Sequence, residues 1–140
     1  MNDLPRTFSS IDFFNPETEL GRENKEKLKK VLESFAVMRP DIGYVQGMSY
    51  ICGFILMHTD SEFSAFKMFN NLILNPQLTQ FYKFESSEII QKLKFFRSAF
   101  LEELPELCEY FEEEKIDPRN YVYEWVMTMF TRALSPEVAV

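Results

Sequence analysis

Two polar residues, Arg6 and Gln46, occur in this sequence at positions where the local pattern does not require a polar side chain. Arg6 lies in the sequence DLPRTF, where a proline stiffens the backbone and Asp3 could hold the guanidinium without fully neutralising it. Gln46 lies in the sequence YVQGM, at the start of the most apolar run of the chain. It either caps a helix or faces a binding partner, and Gly47 beside it would let another backbone approach closely.

The sequence lacks the signatures of a self-contained active site. Its one histidine, His58, ends an apolar run and has no obvious nucleophilic partner. The two cysteines, Cys52 and Cys108, lie among apolar neighbours and are interpreted as core residues rather than as a disulfide or metal ligands. The four glycines are scattered, so no glycine-rich phosphate loop is present. We therefore expect neither a cofactor-binding nor a metal-binding residue.

Composition and charge narrow the class of protein. With 140 residues, of which 46% are hydrophobic and 16% aromatic, the chain can bury one core and is not a disordered tail. The net charge of −7 argues against nonspecific nucleic-acid binding. No stretch is long and apolar enough to insert into a membrane. The sequence shows no secretion leader, and its few cysteines fit a reducing compartment, so we expect a cytoplasmic location.

The acidity is confined to one stretch. Between Glu102 and Asp117 lie eight acidic residues and one basic residue, which together carry the whole net charge. This run is either a solvated helix face or a patch that repels acidic partners or binds basic ones.

Hydrophobic periodicity predicts an all-α fold of six or seven irregularly packed helices. An irregular segment over residues 3–21 precedes a helix over 22–38, which Pro40 ends. The apolar face of this helix is predicted to consist of Leu28, Val31, Leu32 and Phe35. The apolar run over 46–58 favours a fully buried helix, although a strand is also compatible with such a run.

Several helix-start signals follow this apolar run along the chain. Thr59 with Glu62 matches a capping box, and the apolar residues after it would share one face: Phe63, Phe66, Phe69, Leu72 and Ile73. Further starts are predicted at Ser86 or Ser87, Pro105, Asp117–Pro118 and Ser135. In the acidic helix we expect four buried residues: Leu107, Cys108, Tyr110 and Phe111. The last start leaves less than one helical turn, so we expect the chain to be part of a longer domain.

The sequence DLPRTF, followed roughly forty positions later by RPDIGYVQGM, resembles the TBC domain of Rab GTPase-activating proteins. Both motifs occur in order and at a plausible separation, and the aromatic segment around Trp125 is similar to a later helix of that family. The resemblance implies an irregular multi-helix TBC-like (Rab-GAP) fold. It also implies a partial domain over residues 1–140 that starts at the arginine-finger motif and lacks the C-terminal lobe.

In that family an arginine finger and a glutamine finger enter the active site of a Rab GTPase, and carried over these are Arg6 and Gln46. The arginine would stabilise the charge that develops on the γ-phosphoryl group, and the glutamine would orient the attacking water. The resemblance thus implies a GTPase activator in vesicle trafficking that binds no cofactor itself. GTP and Mg²⁺ would be carried by the partner Rab, and any association with endomembranes would be peripheral.

Five residues are expected to support the two fingers. Asp3 would orient Arg6, Thr7 would anchor its loop, and three residues would shape the surface around Gln46: Asp41, Tyr44 and Gly47. Turns and caps would select the same residue types, so a purely structural role stays open for these residues. The alternative function is that of a catalytically silent TBC-like scaffold that binds a GTPase or another protein.

Overall fold

The computed structural model describes residues 1–84, 86–135 and 138, and this part of the chain is helical without strands. The α-helices are α1 Glu19–Met38, α2 Met48–Met57, α3 Glu62–Ile73, α4 Pro76–Tyr82, α5 Ser86–Glu103, α6 Pro105–Glu113 and α7 Val122–Thr128. Short 3-10 helices span Leu4–Arg6, Asp12–Phe14 and Pro118–Asn120. The all-α prediction is confirmed. The helix start expected at Ser135 depends on residues 136 and 137, which lie outside the described residues.

The core lies where α1, α2 and α3 pack against one another. The face of α1 that periodicity predicted is buried, and it consists of Leu28, Val31, Leu32 and Phe35. Phe35 meets Phe69 of α3 edge to face, with ring centroids 5.1 Å apart. Helices α4 and α7 join this core, where the Tyr82 hydroxyl donates to the Met127 carbonyl at 2.6 Å. Helices α1, α2 and α3 thus form the packed core, and the hydrogen bond between Tyr82 and Met127 connects α7 to it through α4.

Helix starts differ from the predicted ones because other side chains cap them. Thr18 Oγ1 accepts from Gly21 N, so α1 begins three residues earlier than expected. The capping box at Thr59 is wrong, since Ser61 caps α3 by accepting from Ser64 N. Asn75 accepts from Gln77 N and starts α4, a helix that was not predicted. A helix in this segment is confirmed, since α5 begins at Ser86; the expected capping by Ser86 or Ser87 is not confirmed, because the start of this helix borders on residues outside the described ones.

Two buried faces were predicted correctly only in part. In α3 the buried residues are spaced four apart, at Ala65, Phe69 and Ile73, and Phe63 points to solvent with 67% of its surface exposed. In α6 only Cys108 is buried, and Tyr110 is 54% exposed. The face of α6 depends on its packing against α5, where Phe111 contacts the Phe100 ring at 5.6 Å between centroids. The acidic side chains of α6 are solvent-exposed.

Truncating Phe69 tests this core. Phe69 is fully buried against Phe35, so Phe69→Ala is expected to lower the free energy of unfolding by about 3–5 kcal/mol. Phe95→Ala is the matched control, because Phe95 is 77% exposed, and it should change stability by less than about 1 kcal/mol. Urea denaturation followed by circular dichroism measures both. Equal effects of the two substitutions would contradict the core described above.

Candidate functional site

A buried carboxylate joins the two motif segments. Asp3, with 1% of its surface exposed, lies directly before the 3-10 helix that contains Arg6. Its Oδ1 accepts a hydrogen bond from the Tyr44 hydroxyl. Its Oδ2 accepts from Gly47 N at 2.9 Å and from Ser49 Oγ at 3.0 Å. The carboxylate therefore fixes the position of the loop that precedes α2 relative to the turn of Arg6.

The backbone around Arg6 is anchored at the residues on both sides of it, Pro5 and Thr7. Thr7 Oγ1 lies 2.9 Å from the Asp3 carbonyl oxygen and 2.8 Å from Ser49 Oγ, and its single proton is shared between these two acceptors. From α1, Lys25 Nζ donates to the carbonyl of Pro5. Thr7 is fully buried. The side chain between these anchors, that of Arg6, is left pointing to solvent.

The hydrogen bonds also determine the charge of the Asp3 carboxylate, which we call the hub. Burial alone would raise the pKa of Asp3, but the bonds from Tyr44, Gly47 N and Ser49 together outweigh it and leave the pKa below its ordinary value of 3.8. Burial and the bond to the Asp3 carboxylate raise the pKa of the Tyr44 phenol. At neutral pH the pair is thus an ionised acceptor and a neutral donor.

Arg6 and Gln46 line one cavity of about 380 Å³, and both are exposed. Gln46 precedes α2 and, within the described part of the chain, its side chain makes no hydrogen bond, so it does not cap this helix. The cavity walls are completed by α7 and the segment before it. Its other lining residues are Asp3, Val45, Gly47, Tyr50, Phe84, Arg119, Asn120, Tyr123, Glu124, Met127, Thr128 and Arg132.

The expectation that Asp3 holds the guanidinium of Arg6 differs from the structure. The carboxylate accepts instead from donors in the loop before α2 and in the first turn of α2, and among the described residues no ion pair involves Arg6. Asp3 acts on Arg6 only through the backbone, where its carbonyl accepts from Arg6 N at 3.2 Å.

Two further arginines in the cavity were missed by sequence reasoning. Arg132 Nη1 lies 2.9 Å from Glu124 Oε1, and Arg119 Nε donates to Asp117 Oδ2 at 2.8 Å. Each therefore has an acidic partner, whereas Arg6 has none within the described residues. The proximity of α7 to the first motif carries no sequence signal. Only the resemblance of the aromatic segment to a family helix pointed to this region.

Asp41 lies outside the cavity lining. It forms ion pairs with Arg39 at 2.6 Å and with Lys83 at 3.2 Å, which tie the loop before Gln46 to the end of α4. The hydrogen bond from Arg39 lowers the pKa of the Asp41 carboxyl well below its usual range. Its expected role in shaping the surface around Gln46 stays a prediction.

Gly47 occupies a backbone conformation that other residues rarely adopt. Its φ is +101°, and a Cβ at this position would lie 3.3 Å from Thr128 Cγ2 of α7. Its N–H is one of the donors to Asp3. A residue without a side chain is therefore required where the loop, the hub and α7 meet.

Across residues 1–84 and 86–135, no group of three or more histidine, cysteine or acidic residues is arranged to hold a metal ion. No described helix combines the length and apolarity needed to cross a bilayer.

Comparison with known proteins identifies the family. A family model described as the Rab-GTPase-TBC domain matches residues 1–140, and the chain belongs to this family. TBC1 domain family member 14 from Bos taurus and member 12 from Xenopus tropicalis are each 31% identical over 137 residues, or 98% of this chain. The Rab GTPase-activating protein eat-17 from Caenorhabditis elegans is 26% identical over 137 residues. The chain spans 19% of the first two relatives and 15% of the third.

Replacing the hub carboxylate is expected to destabilise the chain. Asp3→Asn keeps the size but leaves at least one buried donor without an acceptor, so the free energy of unfolding at pH 7 should fall by about 2–3 kcal/mol. The folded-state pKa of Asp3 is lowered, so its stabilisation is complete above 3.8 and is lost as the pH falls below that value. The difference in the free energy of unfolding between wild type and Asp3→Asn should therefore become smaller as the pH falls below 3.8.

Urea titrations from pH 7 downwards measure this gap. Asp60→Asn serves as the control, because Asp60 is exposed and has no hydrogen bond among the described side chains, and it should have little effect. A gap that widens on acidification would contradict the assignment of Asp3 as an ionised hub.

The glycine requirement gives a separate test. Gly47→Ala adds both backbone strain and a tight contact with Thr128, and should lower the free energy of unfolding by about 2–3 kcal/mol. Gly43→Ala isolates the strain, because Gly43 has φ +67° and a Cβ there would meet nothing within 4 Å. It should cost about 1 kcal/mol. Thermal unfolding compares them, and equal losses would show that the α7 contact is unimportant.

Proposed function

We propose that this chain is part of a GTPase-activating protein that accelerates GTP hydrolysis by a Rab-family small GTPase. Arg6 and Gln46 act in trans as an arginine finger and a glutamine finger. The observation that carries the proposal is their arrangement. Two residues forty positions apart line the same cavity, both are exposed, and one buried carboxylate fixes the segments that carry them.

The electrostatics of the cavity suit this role. Hydrolysis breaks the bond between the γ-phosphorus and the leaving oxygen while water attacks, and negative charge spreads over the phosphoryl oxygens. Arg6 is a cation without an acidic partner among the described residues, so its donors are available to such an anion. The paired Arg119 and Arg132 are less available.

Gln46 suits the positioning of water. An amide can accept a hydrogen bond from the attacking water and donate another, and so orient it without acting as a base. GTP and Mg²⁺ belong to the partner GTPase in this proposal. Family membership and the similarity to eat-17, a Rab GTPase-activating protein, support it. We place this activity in the cytoplasm, in vesicle trafficking, with membrane association through partners.

Single-turnover hydrolysis by a panel of GTP-loaded Rab GTPases tests the fingers. For a Rab that the wild-type full chain accelerates, Arg6→Ala is expected to lower the rate by about 10²–10⁴. Gln46→Ala should lower it by about 10². Arg6→Lys keeps the charge but not the paired donors, and should rescue only partly.

Arg97→Ala is the matched control. Arg97 lies on α5, pairs with Glu112 and does not line the cavity, so its removal should leave the rate unchanged. A rate that survives Arg6→Ala would contradict the catalytic proposal. Tight GTPase binding without any acceleration, insensitive to Arg6→Ala, would instead support the silent TBC-like scaffold.

A further inference from the structure

Phe84 is an exposed aromatic side chain at the rim of the cavity. It lines the same concavity as Arg6 and Gln46, and 58% of its surface is exposed. The other exposed lining residues are all polar or charged: Arg6, Gln46, Asn120, Arg119 and Arg132. Phe84 is therefore the one exposed apolar side chain of the described lining.

The backbone holds this side chain at a conformational cost. Phe84 follows Lys83, the C-cap residue of α4, and has φ +57°, a position where helices usually place glycine. Of the five non-glycine residues with positive φ in the described chain, it is the one that lines the cavity. An exposed side chain kept at a strained position gains little stability from burial. Such residues concentrate at sites of function.

The Phe84 ring is also fixed in direction. It stacks on Tyr123 of α7, with ring centroids 6.3 Å apart and planes 22° apart. Tyr123 is itself held, because its hydroxyl donates to the Phe81 carbonyl at 3.1 Å. A side chain ordered before binding loses less conformational entropy when a partner covers it.

We propose that Phe84 is an apolar anchor for the partner GTPase and helps to determine which GTPase is bound. This inference rests on the proposed function. Interfaces concentrate their binding energy in a few aromatic residues surrounded by polar ones, which is the arrangement around Phe84. The anchor would fit an apolar patch of the GTPase next to its nucleotide site, because the ring stands at the edge of the cavity that holds both proposed fingers.

Hydrolysis measured against GTPase concentration tests the anchor in the full chain. For a Rab that the wild type accelerates, Phe84→Gly and Phe84→Ala are expected to raise KM about tenfold with kcat within about twofold. Phe84→Tyr keeps the ring and should retain the wild-type KM. Arg6→Ala, by contrast, should act on kcat. This split separates binding by Phe84 from catalysis.

Phe130→Gly is the matched control for folding and strain. Phe130 follows the end of α7, has φ +61°, is 44% exposed and lies outside the cavity lining. It should leave KM and kcat unchanged, and both glycine variants should unfold cooperatively. An equal rise in KM for Phe130→Gly, or wild-type KM in Phe84→Gly and Phe84→Ala, would overturn the anchor alone. Absence of wild-type acceleration on every Rab would overturn the proposed function and the anchor with it.

Discussion

The hydrogen bonds to the Asp3 carboxylate are the constraint on which the rest of the site depends. A buried charge is tolerated only when it is hydrogen-bonded, and here two donors from the loop before α2 and one from the first turn of α2 bond to it. All three donors, Tyr44, Gly47 N and Ser49, come from a segment about forty positions later in the chain. The same bonds that make the carboxylate stable in the interior therefore bring the two motif segments together.

The hub separates the residues that provide stability from those that face solvent. Asp3, Thr7 and Ser49 are buried and bonded to one another. Asp3 precedes and Thr7 follows the first 3-10 helix, and Ser49 lies in the first turn of α2. Arg6 and Gln46, their close neighbours in sequence, take part in none of these bonds. Their side chains can stay exposed because the backbone at both positions is fixed by the residues beside them.

Sequence periodicity predicted the helical class and the buried face of α1 because these depend on local spacing. It failed for Phe63 and Tyr110, whose exposure is decided by which neighbouring helix packs against them. At the site, the motifs indicated Arg6, Gln46 and their supporting residues. The hydrogen-bond partners of the Asp3 carboxylate could not be predicted, because Arg6, only three residues later, is the simpler local partner. The contribution of α7 depends on tertiary packing alone.

Charge pairing then distinguishes three arginines that composition treats alike. Arg119 and Arg132 each lie beside a carboxylate close in sequence, at positions 117 and 124. The acid nearest to Arg6 in sequence is Asp3, whose carboxylate accepts from Tyr44, Gly47 N and Ser49 instead. Because that carboxylate bonds to other donors, Arg6 has no acidic partner in the described part of the chain, whereas Arg119 and Arg132 do. The bond network that fixes the fold thus also decides which guanidinium is available to an anion.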